Sequence, residues 1–185
     1  METWMWVVIA VVVAVVILCV IAAIWWNQRS RHQRTERLQG KFGQEYDRTV
    51  EEKGQKQAEA DLADRQERVE SMPIQRLSPE QTAQFSKLWT ATQARFVDDP
   101  GGAVTDADRL VADVMRSRGY PVGDFEQRAA DVSVDHPQVV ANYRAAHEIA
   151  VRHSRAEATT EELRQAMVHY RALFNDLLEV AGVSS

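Results

Sequence analysis

The feature that most constrains this chain is an uncharged run of 23 residues close to its start. Residues 4–26 read WMWVVIAVVVAVVILCVIAAIWW, with tryptophans near both ends. A helix rises 1.5 Å per residue, so this run reaches about 34 Å, enough to cross about 30 Å of hydrocarbon with some tilt. Tryptophan rings settle at the two headgroup layers of a bilayer. The run therefore predicts a transmembrane anchor within residues 1–28 that contacts membrane lipids through residues 4–26.

Two other interpretations of this segment fit it less well. A cleaved signal peptide has a basic start and an apolar core of about 7–15 residues. This chain instead starts Met1-Glu2-Thr3, and its apolar run is longer. A lipoprotein signal has a small residue before its cysteine, whereas here Leu18 precedes Cys19. An uncleaved anchor is therefore favoured.

Basic residues follow the uncharged run and indicate its orientation. They are Arg29, Arg31, Arg34, Arg37 and Lys41. Because Lys and Arg on short flanks stay on the cytoplasmic side, we expect Met1 outside and the C-terminal domain in the cytoplasm. The same five side chains are candidates for contact with anionic lipid headgroups, at about 1 kcal/mol each near the surface. The predicted location is the cell membrane, crossed once.

Charge and cysteine content exclude several classes for the remainder. From residue 42 onward, 17 Lys and Arg side chains stand against 25 Asp and Glu side chains. An acidic domain held near an anionic surface binds nucleic acid poorly, so we expect no nucleic-acid partner. The single cysteine lies inside the uncharged run, which excludes an intramolecular disulfide and a cysteine-based metal site in the rest of the chain.

Residues 29–72 are typical of a basic juxtamembrane segment followed by a charged helical stalk. One narrow apolar stripe recurs every four residues at Leu38, Phe42, Tyr46 and Val50. After it, support comes from acid–base pairs four residues apart, such as Asp61 with Arg65. A sustained heptad repeat is absent, so a solvated spacer is favoured over an oligomerising coiled coil.

Residues 73–185 predict a small all-α domain of four main helices and one short one. Capping residues predict helix starts at Ser78, Asp99, Asp124, Asp135 and Thr159. Gly119 in the segment RGYP predicts a helix end. Apolar faces at helical spacing predict a core of Phe85, Leu88, Trp89, Phe96, Leu110, Val111, Val114, Met115, Phe125, Val139, Tyr143, Leu163, Met167, Tyr170, Phe174 and Leu177.

The histidines do not form a metal-binding pattern. His147 and His153 are six residues apart, whereas ligands on one helical face are four apart. His169 has no glutamate three residues before it, as a di-iron helix would have. We therefore expect no metal and no cofactor. A histidine-dependent enzyme that uses these three and His136 is the lowest alternative.

Polar and aromatic residues at the helix junctions are candidates for contact with a protein partner, because a helical core does not need them. They are Asp98, Asp99, Arg118, Tyr120, Asp135 and His136. Caps, helix stops and loop ion pairs use the same residue types, so this structural role stays open beside the functional one.

Several segments resemble a bacterial, actinobacterial-type family of single-span proteins described as membrane or secreted. They include FGQEYDRTV at 42–50, RFVDDP at 95–100, RGYP at 118–121, FEQRAADVSVDHP at 125–137, NYRAAHEIA at 142–150 and TEELRQAMVHYRALF at 160–174. The resemblance implies an N-terminal anchor, a charged stalk and a helical C-terminal domain, and it supplies no catalytic residue. The description "secreted" implies the opposite orientation to the one that the flanking charges predict.

These observations favour a membrane-tethered helical module that binds a protein partner and has no evident catalytic activity. An accessory subunit of a larger membrane complex, of the respiratory or photosynthetic type, is the alternative. Ala10 and Ala14 would suit it, since small residues four apart allow close packing between membrane helices.

Overall fold

The described part of this computed structural model comprises residues 32–179 together with Leu18, Trp25 and Arg29. The chain divides into two units, Met1–Gly40 and Lys41–Ser185. In the first unit, residues 32–40 are helical. The predicted anchor at residues 1–28 lies outside the described residues apart from Leu18 and Trp25. Among the helices that are described, none combines the length and the apolar character that a membrane crossing needs.

Seven helices make up the described part of the second unit, and residues 32–179 contain no strand. They are α1 Gln44–Lys53, α2 Gln55–Glu70, α3 Pro79–Arg95, α4 Pro100–Arg118, α5 Phe125–Asp135, α6 Val140–Ser154 and α7 Thr160–Glu179. The all-α class and the helical bundle predicted from the sequence are confirmed for this part of the chain.

Local capping signals place most of the helix starts. Ser78 and Gln81 form the predicted reciprocal box at the start of α3, with nitrogen–oxygen distances of 2.9 and 3.2 Å. Asp99 and Asp124 cap α4 and α5 through a single bond each, in which the carboxylate accepts from the backbone N–H three residues ahead. Before α7, the backbone N–H of Thr159 donates to Glu162 and lowers the pKa of that carboxyl to about 2.

The predicted cap at Asp135 is wrong. α5 continues through Asp135, because Val132 and Val134 are buried and keep its last turn packed. The α6 helix then begins at Val140 with no side-chain cap. Asp135 instead accepts a hydrogen bond from the hydroxyl of Tyr120 at 2.6 Å.

Gly119 ends α4 as the sequence predicts, and its geometry requires glycine. Its φ of 100° lies in the left-handed region. A Cβ atom here would lie 2.8 Å from the carbonyl oxygen of Pro73. The segment between α2 and α3 therefore crosses closely over the end of α4, where Gln75 N–H donates to the carbonyl of Arg118 at 2.8 Å.

α7 lies at the centre of the unit and packs against α4 and α6. Its inner face buries Tyr170, Leu173, Phe174 and Leu177. The ring of Phe174 stacks on Trp89 of α3 with centroids 4.7 Å apart. Most predicted core residues are buried: Trp89, Leu110, Val111, Val114, Met115, Tyr143, Leu163, Met167, Tyr170, Phe174 and Leu177.

Five predicted core residues are not fully buried. Phe85, Phe96, Phe125 and Val139 are partly exposed, and the exposed fraction of Leu88 is 46%. α3 packs mainly on α4, so only the narrow stripe at Trp89 and Thr92 reaches the interior. An apolar face read from spacing alone overestimates how much of an outer helix is covered.

The segment predicted as a solvated stalk folds differently. α1 and α2 belong to the second unit, which begins at Lys41 and not at residue 73. Gly54, with a φ of 77°, reverses the chain, and α2 packs back along α1. Leu62 is buried, as is Tyr46, so both hairpin helices have apolar side chains that are shielded from solvent.

Candidate functional site

Four of the six residues predicted to contact a partner lie together at one end of the bundle. Tyr120 and Asp135 share the hydrogen bond described above. The guanidinium of Arg118 lies 5.6 Å from the centroid of the Tyr120 ring. Its Nη1 lies 3.0 Å from Nε2 of His136, whose Nδ1 bonds to the carboxylate of Asp176. We call these five residues the junction cluster.

The hydrogen-bond partners fix the tautomer of His136. An arginine only donates, so Nε2 accepts from Arg118 and Nδ1–H donates to Asp176. Burial lowers the pKa of His136, and the Asp176 carboxylate opposes that shift. Both ring nitrogens are engaged and the side chain is 1% exposed. His136 therefore holds α5 to α4 and α7, and it presents no free nitrogen in this conformation.

The predicted contact residues divide into buried and exposed sets. Arg118, Tyr120 and His136 are buried, so a partner could reach them only if the junction cluster opened. Asp98 and Asp99 lie elsewhere, on the exposed turn between α3 and α4. The Asp99 carboxylate caps α4 and pairs with Arg95 at 2.6 Å, and its hydrogen bond from Gly102 N–H lowers its pKa.

The other histidines occupy separate environments. His147 stacks on Phe125 with ring centroids 3.5 Å apart, and its burial lowers its pKa. His169 Nδ1 lies 2.8 Å from the side-chain oxygen of Asn142. His153 lies against the backbone of α4 at Gly101. Within the described ranges, no three His, Cys, Asp or Glu side chains are placed to hold a metal ion.

A buried carboxylate joins three helices at the hairpin. Glu45 of α1 is 2% exposed at its side chain. Its Oε1 accepts from Arg65 of α2 at 3.0 Å and from Arg144 of α6 at 2.9 Å. Arg144 also reaches Glu126 of α5 at 2.7 Å. We call Glu45, Arg65 and Arg144 the Glu45 clasp.

A second ion pair holds α2 to α5. Both Nε and Nη2 of Arg68 donate to Oδ1 of Asp131, at 3.0 and 2.7 Å. Asp131 is fully buried and also accepts from Gln127 at 2.8 Å. Neither this pair nor the Glu45 clasp was predicted from the sequence, because their members lie 20 to 99 residues apart. The sequence carries no local signal for such distances.

An apolar groove lies between the C-terminal end of α3 and the middle of α7. Its volume is about 170 Å³, and we call it the α3–α7 groove. Its lining residues are Gln93, Phe96, Arg164, Met167, Val168 and Arg171. None of them is acidic. Arg171 makes no ion pair with a described residue, and Val97, which follows Phe96 in the chain, is 84% exposed.

The candidate lipid-binding residues are described in part. Arg29 is exposed and lies 5.5 Å from the ring centroid of Trp25. Arg34 and Arg37 are exposed on the helical segment at 32–40. Lys41 lies over the ring of Phe42 at 5.9 Å, and Arg31 is outside the described residues.

No protein-family model, no curated protein and no solved structure matches this chain. The resemblance to single-span bacterial proteins therefore stays a prediction.

Proposed function

We propose that this chain is a membrane-tethered helical module that binds a protein partner. The observation that carries the proposal is the α3–α7 groove, whose lining includes the apolar side chains of Phe96, Met167 and Val168. Isolated apolar residues are common on protein surfaces, whereas an apolar groove with a polar rim is typical of an interaction site. The uncharged run at residues 4–26 supplies the tether in this proposal.

Two properties of the molecule support this role. A tether raises the effective concentration of partners that share the membrane, so that a small contact surface suffices. Trp89 of α3 stacks on Phe174 of α7, and each lies about one helical turn along the chain from a residue that lines the groove. A groove formed in advance loses little conformational entropy on binding.

A photocrosslinking amino acid at the groove tests the proposal in living cells. We expect Gln93, replaced in the full-length chain, to crosslink to a defined protein. Glu51, which is exposed on α1 in the hairpin, provides a matched position away from the groove. Adducts of equal yield and pattern at both positions would show that the groove is not the binding surface.

The orientation in the proposal places the helical unit in the cytoplasm. Replacing Lys87, which is exposed on α3, by cysteine in a Cys19→Ala background gives one reactive position in this unit. We expect a membrane-impermeant maleimide to label it only after lysis. Labelling in intact cells would reverse the orientation and would remove every cytoplasmic candidate partner.

The accessory-subunit alternative differs in the part of the chain that binds. It assigns the contact to the membrane segment, where Ala10 and Ala14 would allow close helix packing. Replacing residues 4–26 by polyleucine separates the two proposals. Loss of the Gln93 adduct in a variant that still reaches the membrane would favour the subunit.

A further inference from the structure

The chemistry of the α3–α7 groove indicates what kind of partner segment it takes. We infer that it receives one apolar side chain from an acidic protein segment, whose carboxylates pair with Arg164 and Arg171. This inference rests on the proposed function, since it names the partner chemistry of the same groove. It adds the class of occupant, the residues that select it and the sign of its charge.

The volume of the groove limits the occupant. Sites for cofactors and drug-sized molecules measure about 300–1,000 Å³. At about 170 Å³, the groove is too small for them and accommodates a single side chain. Phe96, Met167 and Val168 line it, and the flexible thioether of Met167 adapts to apolar side chains of differing shape. One buried anchor of this kind supplies much of the energy in many interfaces.

The two arginines at the rim of the groove favour a partner segment with acidic residues next to the apolar anchor residue. Arg164 and Arg171 lie two turns apart on α7, with Met167 and Val168 between them. Arg171 has no acidic partner among the described residues. Arg164 donates two hydrogen bonds to Glu161, at 2.9 and 2.7 Å, but both side chains are more than half exposed, so a partner carboxylate can compete for Arg164. Carboxylates on both sides of an apolar residue would complement this arrangement.

The contrast with the rest of the unit strengthens this assignment. From residue 42 onward the chain carries more acidic than basic side chains, yet the groove lining contains two arginines and no acid. Other described arginines, such as Arg65, Arg68 and Arg144, are bound to carboxylates of the fold. Arg171 is therefore available for a partner that carries negative charge.

Methyl NMR on the full chain in zwitterionic nanodiscs tests the inference. Methionine methyl groups are labelled, so Met167 reports on the groove and buried Met115 serves as the internal control. Three synthetic peptides are the probes: DEELEED, DEESEED and KKKLKKK. We expect DEELEED to shift the Met167 resonance with saturation and to leave Met115 unchanged. The serine peptide and the lysine peptide should each bind at least tenfold more weakly.

Two variants separate charge from shape. Arg171→Glu should weaken DEELEED binding at least fivefold, whereas Arg109→Glu, an exposed charge reversal on α4, should change it less than twofold. Gln93→Trp fills the groove and should abolish the shift while both rim arginines remain. Equal binding of DEELEED and DEESEED would overturn the anchor, and insensitivity to Arg171→Glu would overturn the charge selection.

Other occupants of the groove would produce different results. A Met167 shift on adding anionic lipid to the nanodiscs, with none from DEELEED, would assign the groove to the membrane and overturn the inference. A shift that depends on protein concentration without peptide would assign it to a second copy, with the same consequence. A Gln93 adduct in cells without any DEELEED shift would leave the proposed function standing and remove only the acidic anchor.

Discussion

The α1–α2 hairpin and the bundle of helices α3, α4, α5, α6 and α7 lie in one unit, but different interactions stabilise them. α7 buries aromatic and aliphatic side chains against α4 and α6, so apolar burial dominates the bundle. The two hairpin helices contact each other widely and the bundle narrowly. Two ion pairs with a buried carboxylate, Glu45 with Arg144 and Asp131 with Arg68, connect the hairpin to the bundle. The comparison teaches that ion pairs can connect a charged helical segment to an apolar core at defined points.

The largest change in the free energy of unfolding should come from removing a buried aromatic side chain from the core of the bundle. Phe174→Ala removes a ring that is almost fully buried and stacked on Trp89, and it should lower the free energy of unfolding by about 3–5 kcal/mol. Urea denaturation of residues 41–185 measures it. Leu88→Ala is the control, with an expected change below about 0.5 kcal/mol because Leu88 is largely exposed. Equal effects of the two substitutions would contradict the placement of Phe174 in the core and of Leu88 at the surface.

The next effect should come from the Glu45 clasp. Glu45→Gln replaces the carboxylate that Arg65 and Arg144 share by a neutral amide. This should lower the free energy of unfolding by about 1.5–3 kcal/mol. The cost stays in this range because Asp61 and Glu126 still pair with the two arginines. The same denaturation experiment applies.

Glu52→Gln provides the matched control for that substitution. Glu52 pairs with Arg48 at 2.6 Å on the exposed face of α1. Its loss should change the free energy of unfolding by less than about 1 kcal/mol. A Glu45→Gln variant as stable as Glu52→Gln would show that the clasp adds nothing to the attachment of the hairpin.

A smaller effect should come from the junction between the two regions. Gly119→Ala places a Cβ atom at a left-handed backbone position and close to the carbonyl oxygen of Pro73. We expect a loss of about 1–2 kcal/mol. Thermal melts of the two variants measure it. Gly123→Ala, where a Cβ would meet nothing closer than 3.9 Å, should be neutral or slightly stabilising. Equal melting temperatures of the two variants would argue against the close crossing at Gly119.

The smallest expected effect is a pH dependence in the junction cluster. Burial lowers the pKa of His136, so the unfolded chain takes up a proton at a higher pH than the folded chain does. The stability from neutral His136 is therefore present above pH 6.5, the ordinary histidine value, and decreases as the pH falls below it. Denaturation at pH 8, 7, 6 and 5 measures this slope.

His136→Gln and His147→Gln separate the two histidines whose pKa values are lowered. His136 is the more deeply buried, and its neutral form accepts a hydrogen bond from Arg118. We expect the His136 variant to flatten the profile below pH 6.5 more than the His147 variant does. The reverse order would place the pH-sensitive contact at Phe125 and not in the junction cluster.

The helix boundaries were accessible from the sequence where the signal is local. The caps at Ser78, Asp99, Asp124 and Thr159 each bond to a residue three positions ahead, so both members of each pair stand in one short segment. The stop at Gly119 is equally local. The fold class follows from such signals and from helical spacing.

The α1–α2 hairpin could not be predicted from local sequence signals. Charged residues of α1 and α2 suggested pairs four apart along a solvated helix, and Asp61 with Arg65 does form one. The pairs that fix the hairpin instead connect Glu45 to Arg144 and Arg68 to Asp131. Only the three-dimensional arrangement brings these side chains together.

The candidate site shows the same division. Spacing placed Phe96 and Met167 on apolar faces, but it could not show that α3 ends beside α7 and leaves a groove between them. The sequence placed Arg118, Tyr120 and His136 at helix ends, but it did not predict that they lie together. Their burial, and the participation of Asp176 from α7, depends on packing between distant segments.

Hydrogen exchange of the Glu45→Gln variant tests the central comparison most directly. If ion pairs attach the hairpin while apolar burial holds the bundle, amides of residues 44–70 should lose protection and those of α7 should keep it. The wild-type chain and Glu52→Gln should both retain protection in the hairpin. An equal loss of protection in α7 and in the hairpin, or no loss in either, would contradict the account.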